Sequence, residues 1–313
     1  MSRLSCRVLA TASVVGACAA GALTAGVAPA LAQEIEPRTY SNAPIGVNFL
    51  ITGIAYSRGA LSSDPSVPLT DSKLRMPGAV LGYAHVFDLW GKSAKIDAIV
   101  PYTWLSGSAK YAGQPVERTV DGFADPRIRL SVNFLGAPAL PLKDFATYRQ
   151  KLIVGGSLQV SVPVGQYDSS RLVNIGSNRW SWKLETGLSK ARGPWTLELT
   201  AAATLYTDNT NFYGGMRRSQ DPLYTLQGHA IYGLRSGAWL AADVTYYTGG
   251  RSTLDGQLSN DLQRNWRGGG TLALPINRRN SVKLAASAGV SARTGNNFDL
   301  AGIAWQYRWG GGL

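Results

Sequence analysis

Lys95-Ile96-Asp97-Ala98-Ile99-Val100-Pro101-Tyr102-Thr103-Trp104 alternates residue by residue: Ile96, Ala98, Val100, Tyr102 and Trp104 share one face, and Lys95, Asp97 and Thr103 lie on the other. A period of two is the signature of a strand, because successive side chains leave a pleated backbone on opposite faces. The pattern returns with Ile128, Leu130, Val132 and Phe134 against Arg127, Arg129, Ser131 and Asn133. It returns again with Trp180, Trp182, Leu184 and Leu188 against Ser181, Lys183, Glu185 and Ser189, and with Val282, Leu284, Ala286, Ala288 and Val290 against Ser281, Lys283, Ser287, Ser291 and Arg293.

Working outward from these runs, about twelve strands emerge, near 46–58, 77–88, 94–106, 123–135, 151–164, 180–190, 195–207, 222–234, 238–249, 265–275, 281–293 and 299–309. A soluble sandwich would also have one apolar face. Connection length points elsewhere, alternating between long segments (59–76, 107–122, 165–179, 208–221, 250–264) and tight ones (89–93, 191–194, 235–237, 276–280). Transmembrane barrels have short turns at one rim and long loops at the other. Trp104, Trp180, Trp182 and Trp266 fall beside the long loops, and Trp90, Trp195, Trp239, Trp305 and Trp309 beside the short turns or the C-terminus. Two interfacial girdles would produce that distribution. The expected fold is therefore all-β, an antiparallel up-and-down transmembrane barrel of about twelve strands. Pro101 and Pro163 forfeit ladder hydrogen bonds and are expected at bulges near the outer rim. Segment 137–150 breaks the pattern and reads as a small periplasmic helix or a lumen insert.

The chain opens Met-Ser-Arg-Leu-Ser-Cys-Arg, turns small and apolar over 8–32, and reaches Ala30-Leu31-Ala32 before Gln33. This is the pattern of a secretory signal peptide over 1–32, cleaved between Ala32 and Gln33, with 33–313 as the barrel. Val15-Gly16-Ala17-Cys18 offers a lipoprotein alternative. Cleavage at Ala32 removes Cys6 and Cys18, the only two cysteines, so no disulfide or thiolate ligand is expected afterwards. It also removes Arg3 and Arg7, taking the formal charge from +12 to +10. That charge is spread along the chain, so lipopolysaccharide and outer-membrane lipid are expected partners and nucleic acid is not. No stretch after the leader offers the ~20 apolar residues of a helical span. Gly302, Trp305, Tyr307 and Trp309 give the last strand the aromatic spacing that barrel-insertion machinery reads, although Gly310-Gly311-Gly312-Leu313 follow.

Lys95, Asp97, Arg127, Arg129, Lys183, Glu185, Glu198, Asp243 and Lys283 share the face that becomes the lumen if the apolar face meets lipid. They would set a selectivity field for a solute, or lock into a salt-bridged plug. His85 and His229 raise an outer-membrane lipid hydrolase as an alternative, but neither accompanies a lipase-like serine motif. His85, among Leu81, Tyr83 and Phe87, reads as lipid-side or interfacial, and His229 as lying on a more polar face. A structural or adhesive barrel, binding through loops near 208–221, is the other alternative. No cofactor or metal site is expected. Arg217-Arg218 reads as a loop pair that touches lipopolysaccharide phosphate or is simply solvated.

Several stretches resemble the outer-membrane β-barrel family labelled for the meta-pathway of phenol degradation, whose members are described as transporter-like. They include Glu36-Pro37-Arg38-Thr39-Tyr40-Ser41-Asn42-Ala43-Pro44, Asp125-Pro126-Arg127, Gly136-Ala137-Pro138-Ala139-Leu140, Gly165-Gln166-Tyr167, Asn178-Arg179-Trp180, Gln220-Asp221-Pro222-Leu223-Tyr224 and Tyr246-Tyr247-Thr248-Gly249-Gly250. The resemblance implies an outer-membrane channel for small organic solutes, aromatic or hydrophobic by the family's label. It carries no residue roles.

Overall fold

Each alternating run forms a strand. The structure, a computed structural model, describes residues 36–62, 69–111, 113–293 and 295–313; the expected leader and its Ala32/Gln33 boundary lie outside the described residues. The strands are β1 (Val47–Ser62), β2 (Leu69–Leu89), β3 (Lys92–Tyr111), β4 (Gln114–Phe123), β5 (Arg127–Leu135), β6 (Leu152–Ser161), β7 (Ser181–Arg192), β8 (Trp195–Tyr206) and β9 (Asn209–Phe212). They continue as β10 (Met216–Gln220), β11 (Leu223–Gly233), β12 (Trp239–Gly249), β13 (Ser252–Leu254), β14 (Gln257–Leu258), β15 (Gln263–Pro275), β16 (Asn280–Ala292) and β17 (Gly295–Gly310).

Neighbours pair antiparallel around the whole wall, and β1 closes on β17 from Val47↔Gly310 to Ser62↔Gly295. β4 and β5 lie end to end along β3 and act as one wall strand, which makes a closed barrel of twelve. Closure follows from the medium, since hydrocarbon offers no partner to an unpaired edge. Burial alternates in the opposite sense to a soluble sandwich. Leu184, Leu197, Leu199 and Ile303 point outward and are exposed, while Ser189, Thr200, Thr245 and Thr271 point inward and are buried.

The structure differs from the sequence-based expectation in several places. Segments 59–76 and 107–122 are largely strand, because β1, β2, β3 and β4 run on past the bilayer as polar hairpins. Segments 208–221 and 250–264 supply a separate four-stranded sheet, ordered β14-β13-β10-β9. Pro101 is not at a bulge. It sits where β3 changes partner from β5, which pairs as far as Ile99, to β4, which pairs from Tyr102, so its missing N–H falls at the break. Pro163 lies beyond the end of β6. Segment 137–150 carries the expected small helix, Leu142–Phe145, preceded by Pro141.

The aromatic girdles are present, with Tyr102 against Trp104 and Phe123 and Tyr246 against Trp266 towards the long loops, and Trp195 against Tyr232 and Tyr307 against Trp309 towards the short turns. Trp239 departs from them. Its inward register on β12, shared with Ala241 and Asp243, turns it into the lumen, where the Arg38 guanidinium lies 5.4 Å from its ring centre.

Lipid-face packing predicts the response to charge. Leu199→Arg, mid-strand and outward, should lower the unfolding free energy in bilayers by about 2–4 kcal/mol in a denaturant titration, whereas Leu199→Ile should move it by well under that. A near-zero cost for the arginine would mean that this face does not meet hydrocarbon.

Candidate pore and its occluding segment

The described residues before β1 stay within the barrel. Residues 36–46 run inside the inner mouth, the end bearing the short turns, and are fastened at both ends. Ile45 N–H donates to Leu140 O at 2.9 Å, Gly46 N–H donates to Val86 O at 2.8 Å, and the Asn42 amide donates to Pro138 O at 3.1 Å. The anomalous segment 137–150 thereby serves as a dock for the N-terminal segment. Pro37 and Pro44 oppose regular pairing, which suits a segment that must cross a lumen without joining its wall.

Tyr40 is the anchor, only 2% exposed, packed with Ala137 and Ile153. Its ring fills a notch made by two glycines that face each other across the β6–β7 pair, Gly155↔Gly187. A Cβ on either glycine would come within 2.3 Å of the ring. Absence of a side chain at these two positions is what admits the tyrosine. Its hydroxyl lies 3.1 Å from the Glu185 carboxylate, to which it donates, and 3.4 Å from the Ser157 hydroxyl.

The inward charges expected from sequence are brought together around this segment. Arg129 donates through Nε to Asp97, its register partner, at 3.0 Å, and through Nη1 to Glu36 at 2.6 Å. Lys183 pairs with Glu185 at 2.6 Å. Glu198 accepts from the Arg38 backbone N–H at 2.7 Å and from the Ser189 hydroxyl at 2.8 Å, and Lys95 Nζ donates to Thr39 O at 3.4 Å. Arg127 is buried on the same face and, with Arg129, Lys183, Glu185, Gln159 and Gln227, lines a polar recess against Glu36 and Thr39. Asp243 pairs instead with His229 at 2.6 Å, both side chains fully buried. Lys283 keeps the inward register on β16 opposite buried Ala273 but is exposed to the open lumen.

The histidines differ as their surroundings suggested. His85 is on the outer face, its Nδ1 2.8 Å from Asn48 Oδ1 and its ring parallel to Phe87. His229 is inside. Neither has a serine hydroxyl within hydrogen-bond reach among the described residues.

The outer mouth is narrowed by different chemistry. Segment 162–180 folds inward and seats Ile175 among Leu74, Met76, Leu105, Ala124 and Phe298. Asp125, in the β4–β5 break, holds it down: Oδ1 accepts from Gly165 N–H at 2.9 Å, and Oδ2 accepts from the Ser177 N–H at 2.8 Å and the Ser177 hydroxyl at 2.5 Å. Sequence reasoning missed Tyr40, its glycine notch and Asp125. The unpatterned stretch 36–44 and the Asp-Pro-Arg at a strand break were the available signals.

The family model described as "Putative MetA-pathway of phenol degradation" matches residues 58–307. The chain belongs to this family. Among solved structures it is similar to the COG4313 outer membrane channel from Pseudomonas putida F1, with a TM-score of 0.75 and 20% identity over 88% of this chain and 100% of that one. More distant likenesses are the transport unit of the autotransporter AIDA-I from Escherichia coli (TM-score 0.51, 12% identity, 90% and 95% covered) and the beta domain of the Bordetella autotransporter BrkA (0.52, 11%, 84% and 100%). At these identities the likeness is one of fold. No curated protein matches the sequence.

The notch can be tested without any transport assay. Gly187→Val should expel Tyr40 and detach the segment, so that the Arg38 amide exchanges with solvent about tenfold faster or more by hydrogen-exchange mass spectrometry, with wall strands unaffected. Unchanged protection at Arg38 would show that the segment does not depend on the tyrosine.

Proposed function

We propose that this family member is an outer-membrane channel for passive passage of small organic molecules, occluded at rest by residues 36–46. The observation that carries the reading is that the obstruction is separate from the wall. All twelve wall strands complete their ladders without the segment, which is held by individual hydrogen bonds to inward side chains and to the Val86, Pro138 and Leu140 carbonyls. A purely structural barrel needs no such removable element. Each of these bonds, exchanged against water, contributes about 0.5–1.5 kcal/mol, more where a charge is involved, so displacement lies within thermal or ligand-driven reach. The apolar cluster around Ile175 at the outer mouth and the polar inner recess together suit a solute that has both kinds of surface.

The chemistry is transport without a cofactor. The aromatic or hydrophobic character of the solute rests on the family's description and on the apolar residues around Ile175. On this reading the lipid bilayer and lipopolysaccharide surround the barrel, insertion machinery assembles it, and the charged inward residues set selectivity.

Planar-bilayer recording of the refolded mature chain should give small current steps, and deletion of residues 36–44 should enlarge them severalfold. Arg127→Ala/Arg129→Ala removes two inward cations and frees Asp97 and Glu36, so the reversal potential in a salt gradient should move towards cation preference. Silence from the deletion variant, shown to be folded by its heat-modifiable mobility, would end the channel reading.

A further inference from the structure

At the outer mouth, Arg179 and Arg218 are 7% and 6% exposed, and neither has a carboxylate within ion-pair distance among the described residues. Arg179 precedes β7 and Arg218 belongs to β10 in the small outer sheet, so both lie outside the membrane-spanning strands. The two are brought together through β10. Arg179 Nη2 donates to the Gln220 side-chain oxygen, and Gln220 is two residues from Arg218 on the same strand. The sequence-based expectation for the Arg217-Arg218 pair is that of loop cations. Only Arg217 behaves so, exposed and bonded to Asp208 at 2.7 Å.

The two guanidiniums retain donors that the protein does not use. Arg179 Nη1 and Arg218 Nε are buried and have no hydrogen-bond partner. The acids close enough to act on them are already committed: Asp125 to Gly165 and Ser177, Asp208 to Arg217, and Asp261 to the Ser252 N–H at 2.9 Å and the Ser252 hydroxyl at 2.8 Å. Aromatic rings complete the surroundings, with Arg179 4.3 Å from the centre of Tyr206 and Arg218 5.4 Å from that of Phe212. Burial, and next the charge of Arg218, push the Arg179 guanidinium down to about 9, and burial lowers Arg218 as well. Two buried like charges with idle donors are costly unless something neutralises them. A planar carboxylate matches a guanidinium fork, and an anion shared by two forks would satisfy both at once.

We infer that Arg179 and Arg218 form a binding site for the carboxylate of a small organic anion, with Tyr206 and Phe212 contributing apolar walls to its organic body. The inference rests on the channel reading and names a substrate class for it, an organic acid captured at the outer mouth before it meets the inner segment. The idle donors then serve the solute, and opening of the loop that ends at Arg179 admits it.

The test is calorimetric binding of benzoate and of its neutral isostere benzyl alcohol to the detergent-purified folded barrel. Benzoate should bind saturably, benzyl alcohol about tenfold more weakly or worse, and the Arg179→Gln/Arg218→Gln variant should lose about tenfold or more in benzoate affinity with benzyl alcohol unchanged. Should that double variant fail to fold, the single variant Arg218→Lys keeps the charge, removes the fork, and should still weaken benzoate. Equal affinities for benzoate and benzyl alcohol, or benzoate binding indifferent to the arginines, would overturn the inference. Absence of benzoate binding to a barrel that conducts would overturn it while leaving the channel standing. Arginine-dependent binding to a barrel that never conducts would uphold the site and remove the channel.

Discussion

The pairing of β1 with β17 is the constraint on which the rest depends. It joins the ends of the chain's strand order in an unbroken register from Val47↔Gly310 to Ser62↔Gly295. In hydrocarbon each unpaired backbone group costs several kcal/mol, so a wall left open by even one edge would not persist. Once closed, the wall satisfies itself. Its outer face need only be apolar, and its inner face is released from the duty of holding the fold together.

That release explains the interior. A soluble domain of this size would spend its inward positions on a packed apolar core, whereas here those positions carry Asp97, Arg129, Glu185, Glu198 and Asp243. Their charges are satisfied partly by one another and partly by the backbone and side chains of residues 36–46. Glycine has an unusual use in this setting. Gly155 and Gly187 weaken strand packing as glycines generally do, but paired across the sheet they hollow the wall to the width of one aromatic ring.

The strands were legible because each must present lipid with an apolar residue at every second position, a requirement local to the strand. The four runs around Ile96, Ile128, Leu184 and Leu284 state that requirement directly, and the structure keeps all of them. Beyond the bilayer the requirement lapses. Gln114–Phe123 is strand yet reads as loop, because both of its faces are polar enough for water. Pro101 was legible as a lost hydrogen bond but not as the point where two partner strands meet, since the break in the partner lies at 124–126. The lumen face was also readable, down to the individual charges. What those charges touch was not, because Glu198 meets Arg38 across 160 residues of sequence and no periodicity encodes that separation. Trp239 and Arg218 failed for the same reason: composition placed each at a membrane or water surface, and tertiary packing turned each inward.

The two narrowings of the lumen are held by different forces, and on the proposed channel reading this sets an order of events for a passing solute. At the outer mouth Ile175 sits in an apolar cluster fastened by Asp125, a contact strengthened by the exclusion of water. At the inner mouth the hydrogen bonds of Glu36, Arg38 and Tyr40 face a polar recess, where water or a polar solute can replace them one at a time. A solute with an apolar body can displace Ile175 by offering equivalent surface, and its polar group can then compete for the donors and acceptors that hold the N-terminal segment. On the proposed channel reading, this sequence of environments along the lumen suits molecules that are apolar over most of their surface and polar at one end.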